Sequence, residues 1–391
     1  MTWEAWKENE MTYFSTSFLF TKSKELHKMQ SIWLLGAYGR SGRDVAKILS
    51  TKEVDLVLVG RNEAQLQKLA ESLPPNNNKK PRLFVSGSLE TIADEISKAG
   101  PVTVVNFFGP FYESMPIILK KCQPGSRYCD LNNDFVTMQD LFKLENESKS
   151  KDFCLVGGAG FGVLGSETLA YKLIENHSGG KAKTVRIDSF PFVKSEGGTM
   201  GQTLARTIVE GIPVGSRCFH NGRLIKCGFG AEFHEITLPD GQKLGAGAVP
   251  LGDLIVVQNV TQAPSVLLAS GMVPSSSVVR NVLFPVVSGI MSLQFMRDFA
   301  VKRMAKIELP PTDPLKEKRT SSFLHGKVEF EDMSVREGWL KLGDASDFTN
   351  KVCAEVAFRL AKGDGKAGVF TPATLFGKDF AMQFGAEFIP L

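Results

Sequence analysis

The chain lacks several features that mark specialised classes of protein. It has six cysteines in 391 residues, and no two of them form a C-x-x-C pair. This pattern argues against a structural zinc site and a disulfide scaffold, and it indicates a reducing compartment, so we expect a cytoplasmic protein. No apolar run approaches the about 20 residues that a membrane-spanning helix needs.

Other absences narrow the chemistry. The net charge of +4 is small and no basic block stands out, so we expect a small-molecule substrate and no nucleic acid. None of the five histidines lies in a recognisable catalytic setting. Metal-ligand spacings and a G-x-S-x-G motif are also missing, which argues against a metal centre and a nucleophilic serine.

A glycine-rich turn is the most informative motif. The apolar run 32–35 predicts a buried strand, and an amphipathic helical pattern follows the turn. This order is typical of a dinucleotide-phosphate site, because glycines admit a pyrophosphate and the helix start offers free N–H groups. An ordinary turn is the alternative, since G-x-x-G-x-x-G is less exclusive than G-x-G-x-x-G. The candidate contacts are Gly36, Tyr38, Gly39, Arg40, Ser41 and Gly42.

The second predicted strand, 54–59, ends in Gly60, Arg61 and Asn62, where an adenosine ribose is expected. An acidic residue there binds a free 2′-hydroxyl, whereas an arginine suits a 2′-phosphate. Arg61 therefore favours NADPH over NADH, with a solvated loop arginine as the alternative interpretation. Asn62 is a further candidate contact.

Strand and helix patterns alternate up to about residue 170. They predict an α/β fold, with a Rossmann doubly wound parallel sheet in residues 31–170. Residues 1–30 are interpreted as an N-terminal extension.

The pattern then changes to that of a second, mixed α+β region. Asn221-Gly222 and Asp240-Gly241 predict hairpins, and residues 198–210 predict a helix. Residues 278–304 are apolar but contain Pro285, which predicts a kinked helix or two helices. This segment is interpreted as core or a homodimer interface, with weak attachment to a membrane surface as the alternative.

Seven segments now bear comparison with a known family. They are GAYGRSGR (36–43), LVGRN (58–62), VVNFFGPFY (104–112), YCDLNND (128–134), GGAGFGVLGSETLA (157–170), SEGGTMGQT (195–203) and FTPATLFGKDF (370–380). In order and spacing they resemble the saccharopine dehydrogenase-like NAD(P)-dependent oxidoreductases, and among these the trans-acting enoyl reductase branch.

The resemblance implies a Rossmann domain completed by C-terminal helices, here 346–391, and an inserted substrate domain with a mixed sheet, here 171–345. Two segments depart from the family's usual pattern. Residues 86–88 (Ser-Gly-Ser) stand where an acidic residue often lies near the adenine, and Ser88 is taken as the contact there. Residues 130–134 read DLNND instead of D-L-S/T-G-E.

The loop after the fourth predicted strand leaves the sheet near the expected nicotinamide position. Asn106, Phe107 and Gly109 are candidate cofactor contacts. Tyr112 is a candidate proton donor, with substrate orientation or simple packing as alternatives. Asp130 is the second candidate catalytic residue, as a partner for the substrate's polar end, with a helix cap as the alternative.

Together with the cofactor motifs, the resemblance to the enoyl reductases implies an NADPH-dependent reductase. This enzyme would transfer hydride to an activated C=C bond of a small, largely apolar, lipid- or polyketide-like substrate. Reduction of an imine, as in saccharopine- or opine-type chemistry, is the first alternative, and it would require arginines for two carboxylates. A non-catalytic NADPH-binding sensor or adaptor is the second.

Overall fold

The structure is a computed structural model that describes residues 29–74, 80–312 and 319–391. The predictions for the N-terminal extension therefore lie outside the described residues, apart from its last two positions. Parts of the loops at 74–81 and 309–322 lie outside them too.

A seven-stranded parallel sheet forms the first half of the molecule, in the order β3-β2-β1-β4-β5-β6-β17. Its strands, numbered along the chain, are β1 Ile32–Leu35, β2 Leu56–Gly60, β3 Arg82–Val85, β4 Thr103–Asn106, β5 Arg127–Asp130, β6 Cys154–Val156 and β17 Gly368–Phe370. Strand order reverses between β1 and β4, where parallel sheets of this kind bind ligands at the carboxyl ends of the strands. The predicted Rossmann sheet is confirmed.

Helices cover both faces of this sheet, as apolar strands buried on both sides require. They are α1 Arg40–Ser50, α2 Glu63–Ser72, α3 Leu89–Lys98, α4 Phe111–Lys121, α5 Phe135–Lys143, α6 Glu145–Ser150, α7 Phe161–Ile174, α12 Ala345–Ala361 and α13 Pro372–Phe376. The C-terminal helix α12 packs on α1, and β17 extends the sheet beside β6.

The second half is built on a mixed nine-stranded sheet, in agreement with the predicted mixed α+β region. Its central path runs β10-β9-β13-β7-β15-β16-β18, and the hairpin β11–β12 joins it through β13. The strands are β7 Ala182–Phe190, β9 Arg217–His220, β10 Arg223–Lys226, β11 His234–Thr237, β12 Lys243–Ala248, β13 Ser265–Ser270, β15 Ser322–Phe330, β16 Val335–Leu342 and β18 Glu387–Pro390. The two predicted hairpins form β9–β10 and β11–β12.

A single apolar core connects the two sheets through α7. Leu164 and Leu169 of α7 belong to the same buried cluster as Leu34 of β1 and Leu324 of β15. The two sheets are therefore held by shared packing.

The helix predicted from residue 198 begins later. Glu196–Thr199 forms a short strand, β8, which pairs with β14 Glu308–Pro311, and the helix α8 spans Gln202–Val214. Gly197, Gly198 and Gly201 have φ values of +88°, +94° and +84°. These values are incompatible with a right-handed helix, so the helix begins only after the last of them.

The apolar segment near residue 280 forms a π-helical turn at Val279–Leu283 and two helices, α10 Phe284–Met291 and α11 Gln294–Met304. In the described ranges, no helix by itself has the length and apolar character needed to cross a bilayer. The helical segments 279–291 and 294–304 together have the required length and apolar character, but the pair is bent by 109°. Helix α9 Asp253–Thr261 completes this half.

Candidate functional site

The glycine turn forms a closely packed cradle at the carboxyl end of β1. Gly36 has a φ of +81°, and a methyl group at Gly42 would lie 2.3 Å from the Gly36 carbonyl oxygen. Gly39 is the N-cap of α1 and offers no side-chain cap. A side chain at Gly42 would therefore displace the turn that carries the helix start.

The first turn of α1 has the properties of an anion site. It contains no acidic residue, and it begins with Arg40 and Ser41. The first N–H groups of a helix have no acceptor within the helix, and the helix dipole makes this end positive. The cradle thus fits the pyrophosphate of a dinucleotide. Arg40 also donates to the Thr199 carbonyl oxygen over 3.2 Å, which joins this turn to β8.

Tyr38 and Arg61 lie at the side of the cradle where the adenosine is expected. The Tyr38 ring packs against Gly60 at the end of β2, where a methyl group would lie 2.5 Å from the ring. The Arg61 side chain is exposed, and its Cβ lies 3.7 Å from where a methyl group at Gly87 would be. The loops after β2 and β3 are therefore adjacent, with an arginine between them.

The two other candidates on this side serve as helix caps. Asn62 Oδ1 accepts a hydrogen bond from the Gln65 N–H over 3.1 Å, and Ser88 Oγ accepts one from the Thr91 N–H over 3.2 Å. These side-chain oxygens fix the starts of α2 and α3. A cofactor contact by either residue stays a prediction.

The loop after β4 lies directly beside the glycine cradle. A methyl group at Gly36 would lie 3.2 Å from Phe107 Cβ and 3.4 Å from the Phe108 ring, so both phenylalanines border the cradle. This is the position expected for the nicotinamide side of the site. A cofactor contact by Gly109 stays a prediction.

Asn106 lies at the end of β4, and its predicted contact with the cofactor stays a prediction. Its side chain is buried, and its amide nitrogen donates to Ser114 Oγ over 2.9 Å and to the Tyr128 hydroxyl over 3.1 Å. Its amide oxygen accepts from the Phe108 N–H over 2.9 Å. Asn106 thus fixes the shape of the loop from inside the fold.

Asp130 continues this buried polar network at the end of β5. It accepts hydrogen bonds from the Tyr128 hydroxyl over 2.9 Å, from Asn132, and from the Gly158 N–H over 3.2 Å. Burial raises the pKa of Asp130 to about 6 against these hydrogen bonds. The carboxyl caps none of the described helices, and its complete burial favours a positioning role over the predicted catalytic one.

Tyr112 lies at the start of α4 and reaches across to the second half. Its hydroxyl donates to Glu210 Oε2 on α8 over 3.0 Å, and Arg206 Nε donates to Glu210 Oε1 over 2.8 Å. Burial, with the Glu210 carboxylate second, raises the pKa of Tyr112 well above its usual value. Glu210 and Arg206 were missed in the sequence, where their only signal is the i,i+4 spacing of opposite charges.

No protein-family model and no curated protein matches the chain. Among solved structures, the apo form of a histidine-tagged saccharopine dehydrogenase (L-Glu forming) from Saccharomyces cerevisiae has a TM-score of 0.57 and 12% identity, covering 93% of this chain and 100% of that one. A putative short-chain dehydrogenase from Escherichia coli has a TM-score of 0.29 and 15% identity, covering 34% of this chain and 82% of that one.

The first comparison extends over nearly the whole of both chains, so it includes both sheets. The second extends over about a third of this chain. The chain therefore has the α/β fold of a saccharopine dehydrogenase, with a Rossmann-type parallel sheet and a second, mixed sheet.

Proposed function

We propose that the chain is an NADPH-dependent reductase, related to the saccharopine dehydrogenases, that reduces an activated C=C bond of a small, largely apolar substrate. The observation that carries this proposal is the glycine cradle with Arg61 beside it. The segment between β2 and α2 contains Arg61 and Asn62 but no carboxylate.

Three parts of the site would hold the cofactor. The backbone from Gly36 to Gly42 would bind the pyrophosphate, Tyr38 would lie beside the adenosine, and the Arg61 guanidinium would pair with the 2′-phosphate. When bound, a nicotinamide cofactor supplies the hydride for the reaction.

The chain's own task is to orient the substrate and to supply a proton. Phe107 and Phe108 form an apolar border beside the cradle. The raised pKa of Tyr112 keeps its hydroxyl protonated, and Glu210 and Arg206 fix the direction of that hydroxyl. Tyr112 is therefore the group that we assign to hold the proton.

Five arginines of the second half already have hydrogen-bond or ion-pair partners, which supports a C=C bond over an imine formed from an amino acid and a keto acid. Arg186 is paired with Asp188, and Arg206 with Glu210. Arg217 donates to the Val214 carbonyl oxygen, Arg280 to that of Pro274, and Arg297 to that of Met291. These guanidinium groups are already engaged, whereas a substrate with two carboxylates would need arginines that are free to bind it.

The cofactor assignment is tested by the Arg61→Ala variant. Loss of a guanidinium–phosphate pair should weaken NADPH binding by about tenfold or more and change NADH binding by less than about twofold. Titration of both cofactors by intrinsic fluorescence or calorimetry measures this. Equal losses for the two cofactors would contradict the role of Arg61.

A second variant tests the cradle itself. Gly42→Ala should abolish binding of both cofactors, because the new methyl group would meet the Gly36 carbonyl oxygen. Gly289→Ala is the matched control, because this helical glycine has no neighbouring atom within 4 Å of the added methyl group.

The substrates that are turned over identify the type of bond that the protein reduces. NADPH consumption should occur with a panel of α,β-unsaturated carbonyl compounds and not with cyclic imines. Turnover confined to the imines would replace the C=C assignment. Tight NADPH binding without turnover on either panel would favour a sensor or adaptor.

A further inference from the structure

An exposed apolar surface lies on the helical segment between β13 and β14. We name this the α10–α11 surface. Its members are Val282, Leu283, Val286, Ile290, Leu293, Phe295 and Phe299, each exposed in the structure. Phe295 and Phe299, which lie about one helical turn apart, are 66% and 56% exposed, and this is unusual for large apolar side chains in a folded chain.

The opposite side of these helices already has a partner within the fold. Val301 of α11 is buried against Ala205 and Val209 of α8, and Met291 and Met304 pack at the edge of this cluster. At the other end, Phe229 stacks on Phe284 with ring centroids 3.7 Å apart. The segment is therefore anchored by its inner side, and the α10–α11 surface makes no contribution to that anchor.

Positive charge accompanies the exposed apolar groups. Within residues 279–307 the basic residues are Arg280, Arg297, Lys302, Arg303 and Lys306, and the only acidic residue is Asp298. Lys302, Arg303 and Lys306 are exposed and lie within the two helical turns that follow Phe299. The Arg303 guanidinium lies 5.4 Å from the Phe299 ring centroid, so cationic and aromatic groups share one side of α11.

We infer that the α10–α11 surface binds to the surface of an anionic phospholipid membrane. Helices of this kind lie in the interfacial plane, with apolar side chains among the upper acyl chains and basic side chains at the headgroups. The bend of 109° between the two helices suits this placement, since both can lie along the surface while α8 holds them from behind.

A second copy of the chain fits this surface less well. In a twofold symmetric dimer the same patch occurs on both partners, so the basic residues of each copy would approach those of the other. With five basic residues against one acidic residue, that contact would be repulsive. An anionic bilayer complements the same charge.

Vesicle flotation of the full chain tests the inference. The protein should float with phosphatidylcholine vesicles that contain phosphatidylserine, and about tenfold less with phosphatidylcholine alone. The double variant Phe295→Ser with Phe299→Ser should lose about tenfold or more in binding. Lys302→Glu with Lys306→Glu should lose binding to the anionic vesicles and leave the weak binding to the neutral ones.

Met333→Ser is the matched control, since Met333 is 89% exposed on the β15–β16 turn, away from α10 and α11. It should bind vesicles like the unchanged protein, and thermal unfolding should confirm that all the variants fold. Equal binding by the phenylalanine variant overturns the inference. So does the absence of binding by the unchanged protein, and so does a dimer in sedimentation velocity that only the phenylalanine variant dissociates. None of these readouts depends on the cofactor.

Discussion

Tyr112 is the predicted proton donor, and its hydroxyl group makes a contact that no local pattern reveals. It is 39% exposed, and it donates to Glu210, which lies 98 positions further along the chain. Tyr112→Phe removes the proton and the hydrogen bond together but keeps the ring. We expect turnover to slow by about a hundredfold while NADPH affinity is unchanged, as measured by steady-state kinetics and cofactor titration.

A second tyrosine gives the matched control for that experiment. Tyr171 on α7 is also partly buried, and Tyr171→Phe should leave turnover within about twofold. Glu210→Gln separates positioning from proton donation, since its amide still accepts from Tyr112 but carries no charge. If the Tyr112→Phe variant retained full activity, the hydroxyl would serve only to join α4 to α8.

Single residues were predictable where one local rule governs them. Gly36 and Gly42 follow from the transition between a buried strand and a helix. The structure places Gly36 directly after β1 and Gly42 in the first turn of α1. Asn106 and Asp130 were assigned to the correct strand ends, but sequence does not show that their polar atoms point inward. Tyr128 becomes a neighbour of Asn106 only when β4 and β5 pair, and Gly158 becomes a neighbour of Asp130 only when β5 and β6 pair.

Helices and strands were likewise predictable where a local sequence pattern determines them, and not where they depend on residues distant in sequence. The alternation of apolar strands and amphipathic helices predicted the first sheet, because each element buries a periodic apolar pattern. The strand β8 was missed, since its pairing with β14 depends on a contact with residues more than a hundred positions away. The segment 278–304 was predicted to form a kinked helix or two helices because it contains Pro285. Two helices form, but the bend lies between Met291 and Gln294 and not at the proline.

The short helix α13, near the end of the chain, begins at residues that hydrogen-bond to the buried carboxyl group of Glu167 on α7. Its N-cap, Thr371, donates to Glu167 Oε1 over 2.5 Å, and the Ala373 N–H donates to Glu167 Oε2 over 3.2 Å. Thr371→Ala removes the cap and one partner of a buried carboxyl group. We expect a loss of about 1–3 kcal/mol in the free energy of unfolding, measured by denaturant titration.

Thr371→Ser distinguishes the hydrogen bond from the packing of the methyl group. The serine retains the hydroxyl, so it should recover most of the stability that the alanine variant loses. Equal losses for the two variants would show that the methyl group, and not the bond to Glu167, stabilises this element.

At the scale of the whole molecule, buried carboxyl groups determine how stability varies with pH. Burial raises the pKa of Asp130 to about 6, and those of Glu167 and Asp253 to about 7. In an unfolded chain these carboxyl groups have pKa values of about 4. Each therefore binds its proton more tightly in the folded state.

The free energy of unfolding should consequently fall as pH rises from about 4 to about 7, and become level above that range. Groups whose pKa is lowered in the folded state act in the opposite sense, and Asp188 and His234 are examples. Burial disfavours the charged form of Asp188, but hydrogen bonds from His325 and Arg186 outweigh it and lower its pKa, so its contribution is lost below about pH 4. Burial lowers the pKa of His234, whose contribution is lost as the medium becomes acidic. Chemical denaturation across this pH range measures the balance.

Asp253→Asn isolates one of the three contributions. Asp253 Oδ2 accepts from Ser166 Oγ over 2.7 Å, and its other carboxyl oxygen is buried without a hydrogen-bond partner. An asparagine keeps the shape but cannot ionise, so the decline between about pH 5 and 7 should become shallower. The control Asp140→Asn alters an exposed carboxylate paired with Lys143, and it should leave the slope unchanged. A slope that did not respond to Asp253→Asn would mean that water reaches this carboxyl group in the folded protein.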